Sequence, residues 1–130
     1  MAEAKLTPLQ AQRIEQIQGF QRSLSTIKKL VSEMESNRAA RPQVLQDMGA
    51  RIAREFSRLR ARATAASIGT VADVAGQLAI AASRSSGLLM KLRTLNDGIA
   101  SLNFQLDRAL TAASTPEPRR PSGAEPPPAE

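Results

Sequence analysis

VADVAGQLAIAASRSSGLLMKLRTLNDGIASLNFQLDRA, residues 71–109, is the stretch on which the fold turns. Within it Val71, Leu78, Ser85, Leu92, Ile99 and Leu106 recur every seven residues. Val74, Ala81, Leu88, Leu95, Leu102 and Ala109 follow them at a constant offset of three. Alternating steps of three and four place these side chains on one side of an α-helix and make a coiled-coil seam. The register does not slip anywhere in the stretch, which predicts one long helix. Asn96, Asp97 and Gly98 form a turn-like triplet and are the alternative point of reversal. Ala72, Gly76, Ala79 or Ile80, Ser83 and Gly87 recur about every four positions, and the small ones let a neighbouring backbone come close. The same segment, 83–87, is poor in helix formers, so a hinge is the competing reading there.

Upstream, Thr70 is placed to cap this helix, with Asp73 three residues on as a short-armed capping box. Gly69 before it suits the left-handed end of a preceding helix. That second helix carries Leu45, Met48, Ile52, Phe56, Leu59 and Ala63 as its apolar stripe, and Pro42 opens it while disfavouring helix at Arg41. A first helix spans about 7–37, since Ile17, Leu24 and Val31 interleave with Phe20, Ile27 and Met34 at heptad spacing. Pro8 fits its first turn, where a missing N–H has no intrahelical partner. Residues 114–130, STPEPRRPSGAEPPPAE, hold no large apolar side chain and read as a disordered Pro-rich tail. The Pro118–Pro121 spacing in it is a short polyproline-type match, for which a bare spacer is the simpler reading. The expected organisation is therefore a helical coiled-coil domain over 1–113 and a tail over 114–130.

Composition agrees with an all-α chain. Of the 130 residues, 42% are hydrophobic, yet the only aromatics are three Phe. Ala and Leu dominate and lose little side-chain freedom in a helix, while strand formers are scarce. The absence of His and Cys excludes imidazole bases, thiolate nucleophiles, disulfides and zinc sites built on those ligands. Glu33 and Glu35 face different ways on a helix, and Asp97 and Asp107 are far apart, so no carboxylate pair is set up for acid–base work. No enzyme, cofactor or metal is expected. The longest apolar stretch near the middle, 74–83, is too short to span a bilayer. Residues 1–5, with Glu3 and no apolar run after them, are not expected to act as a secretory signal, and the expected location is the cytoplasm.

Helix lengths raise the question of partners. Short links at 38–41 and 68–69 make the three helices antiparallel, up-down-up. The third helix, about 65 Å long, then outruns the second, about 39 Å, beyond roughly residue 96. Leu92, Leu95, Ile99, Leu102, Leu106 and Leu110 become the expected oligomerisation seam, most simply in a two-fold homodimer. A second feature lies on helix 2. Residues 41–69 contain six Arg against Asp47 and Glu55, a net +4 out of the chain's +6. Arg51, Arg54, Arg58 and Arg62 line one stripe roughly 120° from the apolar one. Guanidiniums in a row suit an acidic partner surface or a phosphate backbone, although Glu55 already offsets part of the row.

The expected function is that of a non-enzymatic, self-associating scaffold or adaptor working through coiled-coil contacts with itself or another helical protein. The alternatives are an architectural nucleic-acid binder using the Arg stripe, or a chaperone holding an exported helical client on the open seam.

Overall fold

A computed structural model describes residues 6–84 and 87–115. Four helices follow one another: α1 Pro8–Ser36, α2 Pro42–Ala65, α3 Gly69–Ser83 and α4 Leu88–Ser114. No strand occurs among the described residues, and no helix is long and apolar enough to cross a membrane. Ser114, the first residue of the expected tail, closes α4, and the tail reading beyond 115 falls outside the described residues.

The first two helices start and stop where local chemistry directs. Thr7 caps α1: its Oγ1 accepts from the Gln10 N–H at 3.0 Å, and its own N–H donates to Gln10 Oε1 at 2.9 Å. This reciprocal pair satisfies two donors that the first turn leaves open. Pro8 takes N1 of α1 and Pro42 takes N1 of α2, with Arg41 extended before it. The end of α2 is a Schellman turn, in which Ile68 N–H donates to Ala63 O at 2.9 Å and Ser67 N–H to Thr64 O at 3.0 Å. The left-handed residue of that turn is Ser67, with φ 62°, and not Gly69 as the sequence suggested. Gly69 instead opens α3, and Thr70 lies inside the helix rather than capping it.

The main correction concerns 71–109. It is two helices, not one, and the break lies at 84–87 rather than at Asn96–Gly98. The chain leaves α3 at Arg84 (ψ 150°) and enters α4 from Gly87 (ψ 139°). Folding back places α4 against α1 and α3 and converts the expected three-helix bundle into a four-helix one. The physical reason is burial. A straight helix would leave Ile99, Leu102 and Leu106 in water, at about 1.5–3 kcal/mol each, whereas the reversal gives up only about one turn of helix in a segment of weak helix formers. Gly98 remains helical, and its missing side chain is what admits Leu78 of α3, since a Cβ there would overlap the Leu78 methyls.

Each helix packs on the next, and α4 returns to α1, while the diagonal pairs α1/α3 and α2/α4 stay more than 8 Å apart between Cα atoms. Gln21 Nε2 donates to Asp107 Oδ1 at 3.0 Å, and Gln10 Nε2 to the Thr115 carbonyl at 3.0 Å, so α1 and α4 run antiparallel. The topology is up-down-up-down. One core runs through the middle: Ile17, Leu24, Ile27 and Met34 from α1, Ile52 and Phe56 from α2, Val71 and Ala75 from α3, and Leu95, Leu102 and Leu106 from α4.

Candidate functional site

The core assignment of α2 fixes its outer face. With Gly49, Ile52, Phe56, Leu59 and Ala63 turned inward, the helical repeat sends Arg51, Arg54 and Arg58 outward, and all three are exposed. Arg58 Nη1 donates to Glu55 Oε2 at 2.8 Å, yet the Arg58 side chain is still 70% exposed. A pair so placed contributes little, about 0.2–1 kcal/mol, and keeps most of the guanidinium available. Asp47, the other carboxylate of the helix, accepts from Gln43 Nε2 at 3.0 Å. Arg51 and Arg54 have no carboxylate within 4.0 Å among the described residues.

Arg62, the fourth member of the predicted stripe, does a different job. Its Nη1 donates to Ser23 Oγ at 2.7 Å and its guanidinium lies 5.3 Å from the centroid of the Phe20 ring. It braces α2 against α1 and leaves the row with three members. Sequence reasoning also passed over Arg13, whose Nη1 donates to the Ala66 carbonyl at 2.9 Å and satisfies the C-terminal end of α2. Arg60 was passed over too: its Cδ lies 3.0 Å from where a Cβ on Gly76 would stand, so its stem covers α3 at that glycine. Both arginines are defined by contacts across helices, for which the local sequence holds no signal.

The predicted oligomerisation seam is brought together, but inside the chain. Leu92, Leu95, Ile99, Leu102 and Leu106 are buried within the bundle, and Leu110 is half-buried. The uncovered overhang on which the dimer reading rested is therefore absent, and the open seam proposed to hold a client is closed by the chain's own helices. Apolar exposure occurs elsewhere: Leu9 on α1, Ile80 on α3, and Leu89, Met90 and Phe104 on α4 all stand largely in solvent.

At one end, α1 and α4 rise past the α2–α3 turn. Arg13 is level with Ala66, and Gln10 with Thr115, so the first turn of α1 and the last turns of α4 stand clear of the shorter pair. Between them lies an open cleft of about 1090 Å³ lined by Leu9, Ile17, Ile68, Ala109 and Ala113, with Arg13 at its side.

At the opposite end Lys91 is buried, at 9% exposure. Its Nζ lies 3.6 Å from the position a Cβ on Gly49 would take, a position that the Ala82 carbonyl and the Met34 methyl also approach, at 2.6 and 3.6 Å. No carboxylate comes within 4.0 Å of it among the described residues. Burial holds its ammonium below the usual lysine range, because desolvation penalises the charged form.

The chain matches no protein-family model, no curated protein and no solved structure.

Proposed function

We propose that the protein is a non-enzymatic, self-associating helical adaptor that presents the α2 arginine face to an acidic partner protein. The observation that carries this is the exposed row Arg51, Arg54 and Arg58, of which two members have no carboxylate partner among the described residues. The row covers two helical turns, about 10 Å. Planar guanidiniums at steps of three and four match carboxylates displayed at the same steps on a partner helix, and each such pair gains in strength when both groups are charged and aligned. The remaining helices give α2 a rigid support, since its opposite face is locked into the core by Ile52, Phe56 and Leu59. Exposed Leu9, Leu89, Met90 and Phe104 add apolar contact area on other faces and support the self-associating part of the reading.

A phosphate backbone is the second reading, favoured by the net +4 carried on residues 41–69. The two separate in one experiment. Fluorescence anisotropy is measured with a helical peptide bearing Glu at every fourth position and with duplex DNA of equal charge, across a salt series. The adaptor reading expects the peptide to bind at low salt and the Arg51→Gln/Arg54→Gln/Arg58→Gln variant to lose that binding while keeping its helicity. DNA binding without peptide binding transfers the face to nucleic acid. Binding of neither probe at low salt leaves the row as ordinary solvated surface and defeats both readings.

A further inference from the structure

The start of α1, the α2–α3 turn and the close of α4 together enclose the cleft of about 1090 Å³. Hydrogen bonds tie its walls at two corners. Gln10 Nε2 donates to the Thr115 carbonyl at 3.0 Å and bridges α1 to α4. Arg13 Nη1 donates to the Ala66 carbonyl at 2.9 Å and bridges α1 to the turn. The space is near the upper end of the range found in clefts that take small organic molecules, about 300–1,000 Å³.

Three properties define what fits it. The walls are aliphatic: Leu9, Ile17, Ile68, Ala109 and Ala113 line the cleft and no aromatic ring does. Ile68, Ala109 and Ala113 are only half-buried and Leu9 stands 76% exposed, so an apolar body laid there covers surface that water now reaches. The charge of the lining has one sign. Arg13 is its single charged side chain, and no Asp or Glu of the described residues lines it. One of the five guanidinium N–H groups is committed to Ala66, and no carboxylate lies within 4.0 Å of Arg13 among the described residues. Gly69 and Thr70, which open α3 without a side-chain cap, line the same cleft and add to its preference for an anion.

The third property is that acceptors around the cleft are already used. The carbonyls of Ala63, Ala66 and Thr115 accept from Ile68, Arg13 and Gln10, and Gln10 Oε1 accepts from the Thr7 N–H. A peptide brings an N–H at nearly every residue and finds these acceptors occupied. A ligand whose polar atoms are carboxylate oxygens alone needs donors only, and donors are what remain.

We propose that this cleft binds a fatty carboxylate. The hydrocarbon chain lies along Leu9, Ile68, Ala109 and Ala113 over Ile17, and the carboxylate pairs with Arg13 in a charge-assisted hydrogen bond. Arg13 then has two tasks, bracing the turn and reading the headgroup. The site shares no residue with the arginine row of α2, so it stands or falls independently of the adaptor reading.

The test titrates decanoate, below its micelle concentration, into the full chain with 13C-labelled Ile and Leu methyls. The Leu9, Ile17 and Ile68 methyls should shift to saturation, while Leu89 at the opposite end should not. Hexanoate should bind at least tenfold more weakly, since each buried methylene is worth about fourfold in affinity. Arg13→Gln should weaken decanoate at least tenfold and leave 1-decanol, the same chain without the charge, within twofold of its original affinity. Leu9→Glu places a like charge on a side chain that stands mostly in solvent, so it keeps the fold and should abolish decanoate binding, whereas Leu9→Gln should retain it within about threefold. If Arg13→Gln does not fold, the two Leu9 variants decide the matter. Equal affinity for decanoate and 1-decanol in the unaltered protein would overturn the carboxylate assignment. Shifts that are absent, or confined to other faces, would overturn the site. A peptide ending in a free Leu carboxylate that shifts the same methyls at lower concentration than decanoate would give the cleft to a partner's C-terminus and overturn the fatty-carboxylate reading.

Discussion

Replacing Gly98 with alanine has opposite consequences in the two arrangements open to residues 71–109. In an isolated straight helix, Leu78 and Gly98 are separated by about 30 Å, and Gly98→Ala brings only the propensity gain of about 0.8–1.0 kcal/mol. In the four-helix bundle the new Cβ arrives 2.9 Å from Leu78 Cγ and closer still to its methyls, and Leu78 is itself buried. Overpacking of this kind costs about 1–3 kcal/mol. Set against the propensity gain, it leaves a net destabilisation of about 0–2 kcal/mol, so the single variant is best read inside a double-mutant cycle. Leu78→Ala costs about 2–5 kcal/mol by itself but removes the obstruction, and in that background Gly98→Ala should show its propensity gain alone. The effect of Gly98→Ala should therefore differ between the two backgrounds by about 1–3 kcal/mol. Urea unfolding followed by far-UV circular dichroism measures all four corners. If Gly98→Ala stabilises by about 1 kcal/mol in both backgrounds, the two residues do not touch and the fold-back at 84–87 is wrong.

The arginines of α2 should split by role: Arg62→Ala, which loses the Ser23 hydrogen bond and the Phe20 ring contact, should cost about 1 kcal/mol in unfolding free energy. Arg58→Ala should stay within about 0.5 kcal/mol, and equal effects would remove the distinction between bracing and surface arginines. Lys91→Met should raise the melting temperature at neutral pH, because it removes a buried charge while keeping the stem volume. The sign with pH follows from the lowered folded-state pKa: between that value and the ordinary lysine value the unfolded chain binds the extra proton, so wild-type stability rises with pH. The gap between the two proteins should narrow as the pH climbs through that range in calorimetric scans, and a gap that stays constant would mean that the Lys91 ammonium is solvated.

Sequence by itself determined most of the local architecture. The heptad positions Ile17, Phe20, Leu24, Ile27, Val31 and Met34 are all buried, as are Ile52, Phe56, Leu59 and Ala63 of the second stripe and Leu92, Leu95, Ile99, Leu102 and Leu106 of the last. Periodicity reports which face of a helix is apolar, and Pro8, Pro42 and Thr7 act within one turn of where they stand. Sequence also supplied the outward direction of Arg51, Arg54 and Arg58, because an outer face is the complement of an apolar stripe on the same helix. Tertiary structure decided where 71–109 reverses. A heptad specifies a face but not the helix that covers it, and the same column serves a straight helix and a folded pair equally well. Segment 83–87 is weak enough in helix propensity for burial of Ile99, Leu102 and Leu106 against α1 and α3 to dictate the break. Asn96–Gly98 kept its helix with Gly98 packed directly on Leu78 of α3, a relation between residues distant in the chain that no local window contains. Arg62, Arg13 and Lys91 acquired their roles in the same way, from the Ser23 hydroxyl, the Ala66 carbonyl and the Gly49 gap that packing brought beside them.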